Sequence, residues 1–342
     1  MEKDWPKAKG HRTRRQRVVA IGGGTGLSTM LRGLKQYVDN ITAIVTVADD
    51  GGGSGVLRHD LGMPPPGDIR NCLLALANTE SVMSELLGYR FTDGILKGQS
   101  FGNLFLAALN EISPSFDVAV RRMSEVLAIT GRVLPVTNEN IELEAEFENN
   151  TRVVGESKIF ACKKEQDCRI RQVRLLPEHP KALEESLEAI RHADLIILGP
   201  GSLYTSIIPN LLVSGIVSEI MESDALKLYV CNVMTQEGET EGYSASDHIQ
   251  AIFHHAQAPI IDYCLINSAP IPEKVCARYA EEGAAPIVCD REACVRLGVQ
   301  VIEKPVSAIV DGQVKHDGLA LGREIMAIYS EHGAMRIAGE EF

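Results

Sequence analysis

No Cys-x-x-Cys pair occurs among the eight cysteines, at positions 72, 162, 168, 231, 264, 276, 289 and 294. The closest spacings, Cys162/Cys168 and Cys289/Cys294, match no common zinc pattern. With no apolar secretory segment after the first charges, the cysteines read as reduced thiols in a cytoplasmic protein, and no structural metal is expected. No uninterrupted apolar run approaches the roughly 18 residues of a membrane span. The longest candidate, Asp194–Gly199, reads DLIILG. His-Glu-x-x-His is absent, and adjacent His254 and His255 cannot share a helix face as a metal pair. Walker A is excluded because no Gly-Lys-Ser/Thr follows a glycine loop. Ser202 lies in GPGSL, not in a Gly-x-Ser-x-Gly elbow, so no nucleophilic triad is indicated.

What is present is ordinary in bulk and uneven in charge. The 342 residues are 45% hydrophobic and 23% charged, which excludes a disordered chain, a fibre and a coiled-coil rod. The net charge is −12. Residues 1–17 carry seven basic and two acidic side chains, leaving a strongly acidic body. An acidic body argues against nucleic acid as a partner. The basic stretch reads as a solvated tail.

Val18–Ile21 is a short β-branched run. Gly22-Gly23-Gly24-Thr25-Gly26 follows, and then Leu27, Met30, Leu31 and Leu34 fall at helical spacing. Ile41–Ala48 is a second strand, ending in Asp49-Asp50. This is a βαβ unit. Strands are expected again at Asp194–Leu198, Leu228–Cys231 and Ile260–Ile266. Helices are expected at Leu211–Met221, Ala245–Ala256 behind a Ser244-x-x-Asp247 capping box, Pro272–Glu281 and Leu319–Glu331. Ile141–Glu148 alternates apolar residues with Glu, the pattern of a half-exposed strand. Thr151–Ser157 and Ile170–Leu175 extend it. The expected architecture is α/β: a Rossmann-like, doubly wound, mostly parallel sheet. One domain spans 18–342, with a β-rich insertion at about 133–176 whose acidic face is solubilising.

Four stretches at strand ends could carry chemistry. Gly22–Gly26 opens a helix, where backbone N–H groups and the helix dipole favour a phosphate. It lacks the third glycine of the dinucleotide fingerprint, which falls on Leu27. Asp49-Asp50 could hold a ribose hydroxyl or a Mg²⁺ that bridges a diphosphate. The Gly51–Gly55 run beyond it reads as a second flexible, donor-rich loop. In PPPGDIRN, Asp68 reads as a helix N-cap, with Arg70 and Asn71 on the first turn facing the same ligand. Ser100-Phe101-Gly102-Asn103 opens a further helix in the same way. Gly201, Ser202, Thr205 and Ser206 supply donors after a later strand, with Asn210 beyond and Asn232 after the next strand. Tyr279 could stack on a base but reads more simply as a core residue, and His248 as packing.

Together, GGGTGLS (22–28), TVADDGGGSG (46–55), PPPGDIRN (64–71), GPGSLYTSIIPN (199–210) and NVMTQEGETEGY (232–243) resemble the YvcK family. These bacterial gluconeogenesis factors are related to CofD, the 2-phospho-L-lactate transferase. The resemblance implies a cytoplasmic protein with a nucleotide cleft and UDP-N-acetylglucosamine as ligand. It implies a role in cell shape and wall synthesis on gluconeogenic carbon sources, through a wall-synthesis protein partner, with a homo-oligomer expected. Gly22–Gly26 and Gly201–Ser206 would cradle phosphates, and Asn210 would contact the nucleotide sugar. The CofD branch implies instead a guanosine diphosphate-linked phospholactate with Mg²⁺. Asp49, Asp50 and Asp68 would then hold metal and acceptor. Where relatives read GGSSGRLR after the double Asp, this chain reads GGGSGVLR (51–58), and Lys315-His316 stands in place of Arg-His. A lysine there is a point charge without a bidentate fork. An NAD-linked oxidoreductase is the third reading.

Overall fold

The computed structural model describes residues 16–78, 81–166 and 168–333. The chain opens with β1 (Val18–Gly22), α1 (Gly24–Leu34) and β2 (Ile41–Val45). Five helices follow: α2 (Gly52–Leu61), α3 (Gly67–Leu76), α4 (Ser81–Gly88), α5 (Phe101–Glu111) and α6 (Phe116–Val126). Next come β3 (Arg132–Pro135), β4 (Glu142–Phe147), β5 (Arg152–Val154), α7 (Glu156–Gln166) and β6 (Ile170–Leu176). The second half begins with α8 (Glu184–Arg191), β7 (Leu195–Leu198), a π-helical turn (Leu203–Ile207), α9 (Ile208–Leu211) and α10 (Ile216–Glu222). It continues through β8 (Leu226–Val230), α11 (Ala245–Ala256), β9 (Tyr263–Asn267), α12 (Glu273–Glu281) and α13 (Arg291–Arg296). It closes with β10 (Gln300–Lys304), a hairpin of β11 (Ser307–Val310) and β12 (Gln313–His316), and α14 (Gly318–Ile328).

Seven strands form one parallel sheet in the order β10-β9-β8-β7-β1-β2-β3. β1, β2 and β7 are buried along their whole length, as a sheet covered on both faces requires. The strand order reverses between β1 and β7. Their carboxyl ends therefore diverge and leave a crevice, the place where open α/β sheets bind ligands. The doubly wound, mostly parallel fold is as expected. No described helix is long and apolar enough to cross a membrane, and all eight cysteines are free.

Several local expectations need correction. The basic tail ends sooner than 17, because Arg17 donates to Asp194 from both its backbone N (2.8 Å) and its guanidinium (3.1 Å). Residues 1–15 of that tail lie outside the described residues. The second strand stops at Val45, where its ladder with Gly22 ends. The Gly51–Gly55 run is the start of α2, not a flexible loop. A Cβ on Gly55 would sit 2.0 Å from the Asp50 carbonyl oxygen, so glycine permits that tight entry. Pro66, not Asp68, occupies the N-cap of α3, and Asp68 lies in its first turn. The expected helix at 211–221 is broken, because Gly215 adopts φ +92° before α10 begins.

The insertion also differs. β3 pairs with β2 as the edge of the main sheet, so the separate unit starts later, at β4. It is the antiparallel sheet β5-β4-β6, and it carries the helix α7 where a strand was expected to continue. β4 alternates as its sequence dictates, with Leu143, Ala145 and Phe147 buried. Its wet face is not merely solvated, since Glu146 lies within 4 Å of Arg152, Arg171 and Arg174. His255 of α11 accepts from Val173 N at 3.0 Å and ties the insertion to the main body.

The last helix fixes the last wall of the crevice. α14 crosses α1 at backbone contact: a Cβ on Gly33 would lie 1.6 Å from the Gly318 oxygen. Asp317 caps α14 by accepting from Leu319 and Ala320 N. The strand just before that cap is β12, which is thereby held beside the start of α1.

Candidate functional site

A cleft of about 660 Å³ lies at the diverging ends of β1 and β7. Gly24, Thr25, Gly26 and Thr29 of α1 form one side, and Gly201, Ser202, Thr205 and Ser206 form the other. The two loops are in contact. A Cβ on Gly26 would lie 2.7 Å from the Pro200 oxygen, and one on Gly201 would lie 3.1 Å from the Gly23 oxygen. The N-cap of α1 is Gly23, which has no side chain to cap it, and of the first-turn N–H groups that of Gly24 turns to Asp68. The other first-turn N–H groups and the helix dipole thus favour an anion.

The second loop is braced from below. Asn232 accepts from Gly201 N (3.2 Å) and donates to Gly201 O (2.8 Å). Ser202 Oγ donates to Gln236 Oε1 at 2.9 Å. Glu239, buried beneath the π-turn, accepts from Tyr204 N (2.7 Å) and Thr205 N (3.0 Å). Burial pushes the Glu239 carboxyl up to about 7, against the pull of those N–H groups.

Carboxylates line the floor. Asp49, Asp68 and Glu156 all border the cleft. Asp49 Oδ1 accepts from Gly51 N at 2.8 Å. Burial, then the charge of Asp49, raises Asp68 to about 6, while the Gly24 N–H and Arg70 act in the opposite direction. Burial and Asp49, through its charge and a hydrogen bond, push Glu156 up to about 9, so near neutral pH it holds a proton toward Asp49. Among the described residues, no group of three or more His, Cys, Asp or Glu stands in metal-holding geometry. Asp49 and Asp68 remain, and a Mg²⁺ arriving with a diphosphate commonly uses one or two carboxylates.

The far wall comes from the end of the chain. Tyr279, Lys315 and His316 border the cleft, and Lys315 is its only Lys or Arg among the described residues. Tyr279 is not a core residue. Its OH accepts from Val314 N at 3.0 Å and fastens the hairpin to α12. Burial lowers His316 to about 4, leaving it neutral near pH 7.

Of the expected site residues, the structure gathers Gly24, Thr25, Gly26, Asp49, Asp68, Gly201, Ser202, Thr205, Ser206, Asn232, Tyr279 and Lys315 around this cleft. The others do not line it. Gly22 ends β1, and Gly23 leaves room for the Asp68 carboxylate, whose Oδ2 would be 2.6 Å from a Cβ there. Asp50 turns away and accepts from Ser157 N at 2.9 Å, at the start of α7. The Asp49-Asp50 pair is thus divided between two sites. Arg70 is drawn between α3 and α5, donating to Ser100 Oγ and to Asn71 Oδ1. Asn103 is buried in α5. Asn210 is fully buried, and its amide donates to Gly22 O (3.2 Å) and Ser206 O (2.8 Å), so it ties the two loops together. His248 is buried away from the cleft, with its Nδ1 2.8 Å from Ser244 O. Glu156 and Glu239 were missed by sequence reasoning. Glu239 lies in the quoted NVMTQEGETEGY run, and Glu156 carries no local signal.

These features define a doubly wound α/β protein with a polar, carboxylate-floored cleft at its topological switch point. The sequence profile of 2-phospho-L-lactate transferase CofD matches residues 18–307, and the chain belongs to the CofD family. A Thermoanaerobacterium thermosulfurigenes protein, provisionally named a gluconeogenesis factor, is 56% identical over 91% of this chain and 96% of its own length. The gluconeogenesis factor of Bacillus subtilis is 48% identical over 88% of this chain and 94% of its own. A crystal structure from Bacillus halodurans superposes with a TM-score of 0.88 at 47% identity, covering 92% of this chain and all of that one.

Proposed function

We propose that the cleft binds a nucleoside diphosphate-linked sugar, with UDP-N-acetylglucosamine the first to test, and that the protein acts as a regulator. The observation that carries this reading is the pair of glycine loops in contact at the switch point, with Lys315 opposite. The first turn of α1 supplies backbone donors at Thr25 and Gly26, the second loop offers the Ser206 hydroxyl, and Lys315 supplies the charge. The Thr205 hydroxyl bonds the Glu156 carboxyl, but that carboxyl, raised to about 9, holds a proton near neutral pH and is no base, and a sensor requires no nucleophile. The names of the relatives support a part in growth on gluconeogenic carbon sources. The family resemblance adds cell shape and wall synthesis, exercised in the cytoplasm by a homo-oligomer on a wall-synthesis protein. Calorimetric titration with UDP-N-acetylglucosamine, GDP and NAD, each with and without Mg²⁺, tests the ligand. Saturable, metal-independent binding of the UDP-sugar supports the reading, and its absence refutes it.

The carboxylates favour a second reading, a Mg²⁺-dependent transfer of the CofD type. Asp49 and Asp68 would hold the metal against the diphosphate, whose charge it would neutralise during transfer. Mg²⁺-dependent turnover that Asp68→Asn abolishes, with binding retained, supports this reading. Turnover unchanged in that variant removes Asp68 from the chemistry.

A further inference from the structure

The cleft has a side chamber of about 410 Å³. It shares Glu156, Ser202, Thr205 and Gln236 with the main cleft, so it continues directly from the second glycine loop. Its outer wall is Ile159 and Phe160 of α7, facing Gly238 and Glu239. The Phe160 side chain is large and apolar, yet it remains 43% exposed. It lies against Gly238, where a Cβ would be 2.5 Å from the ring. No Lys, Arg or His lines the chamber among the described residues, whereas the carboxyls of Glu156 and Glu239 do.

These walls specify what can enter. A group linked to a diphosphate in the main cleft would reach the chamber past Ser202 and Thr205. An anionic group would find no cation among these walls, an unfavourable placement in a partly desolvated space. A purely apolar group would cover the Ser157 hydroxyl and the Gln236 amide nitrogen without offering them a partner. The group that satisfies both walls is uncharged, with hydroxyls along its edge and an apolar face for an aromatic ring.

We propose that the side chamber is the subsite for the uncharged sugar of the nucleotide-linked ligand, with Phe160 as the platform for its apolar face. This rests on the nucleotide-sugar reading and adds to it the part of the insertion that selects the sugar. Phospholactate, whose carboxylate would find no cation there, is the kind of group the chamber rejects.

The test is calorimetric titration of the wild type, Phe160→Ala and Phe160→Tyr with four probes: UDP, UDP-N-acetylglucosamine, UDP-glucose and UDP-glucuronic acid. Wild type should bind UDP-N-acetylglucosamine more tightly than UDP. Phe160→Ala should lose about fivefold or more of that advantage while holding UDP as the wild type does, because one apolar contact face is removed. Phe160→Tyr, which keeps the ring, should restore it. UDP-glucuronic acid, which differs from UDP-glucose by one carboxylate, should bind about tenfold more weakly or worse. Retention of the full advantage by Phe160→Ala, or equal binding of the glucose and glucuronic acid probes, overturns the assignment while leaving the nucleotide cleft intact. Failure of the wild type to bind even UDP refutes the nucleotide reading itself.

Discussion

Asp68→Asn should remove a pH-dependent loss of stability. The carboxyl is buried against the Gly23 backbone and close to Asp49, and it is held at about 6 in place of 3.8. Below about pH 3 the group is protonated in both the folded and unfolded chain and contributes no difference. As pH rises, the unfolded chain ionises first and is favoured. Stability therefore falls through this window and levels off once the pH passes about 6, the folded value. At about 1.36 kcal/mol per pH unit, the interval is worth roughly 3 kcal/mol. Asparagine carries no charge to bury, and its side-chain oxygen can still accept from the Gly24 N–H. The stability of the variant relative to wild type should thus rise by roughly 3 kcal/mol between pH 3 and pH 7. Urea unfolding followed by circular dichroism at four pH values across that range measures it. Other carboxyls titrate in both proteins and cancel to first order in the difference. A difference that stays flat, or falls with pH, refutes the reasoning and means that the Asp68 carboxylate is net stabilised in the fold.

Gly33→Ala should destabilise by about 1–3 kcal/mol or more, because its Cβ would lie 1.6 Å from the Gly318 oxygen and neither helix backbone can yield without the other. Thermal unfolding checks this. Glu239→Ala leaves the N–H groups of Tyr204 and Thr205 without their acceptor and should cost roughly 2–4 kcal/mol. Glu239→Gln keeps the acceptor and relieves a carboxyl raised to about 7, so at pH 8 it should unfold no earlier than wild type. Lys315→Ala should weaken UDP binding by about tenfold at low salt and flatten its salt dependence, read by titration at two ionic strengths.

The strand–loop–helix grammar was legible because it is local. VVAI followed by GGGTG and a leucine stripe needs no tertiary information to read as β1 and α1, and the switch point follows from the order of such units. β4 was legible because Leu143, Ala145 and Phe147 alternate with Glu. α7 was not. Its sequence, ESKIFACKKEQ, has no apolar stripe, and its start is held by Asp50, 107 residues earlier than Ser157. The same long-range bond turns Asp50 out of the cleft and lets α7 bring Glu156 in. No local pattern distinguishes Asp49 from Asp50 in that respect. Asn210 and Arg70 sat in motif-like runs yet became structural, because the backbone carbonyls of Gly22 and Ser206 and the hydroxyl of Ser100 took up their donors. Lys315 lies at the cleft because α14 packs on α1 through glycines far apart in the chain and Tyr279 fastens its hairpin to α12.

On the proposed reading, the cleft between the two glycine loops holds a nucleoside diphosphate sugar. Titration of the wild type with UDP-N-acetylglucosamine, in the presence and absence of Mg²⁺, tests it most directly. A single saturable site, unchanged without the metal and accompanied by a rise in unfolding temperature, is the predicted result. No binding under either condition, or binding of GDP with Mg²⁺ to the exclusion of the UDP-sugar, contradicts it.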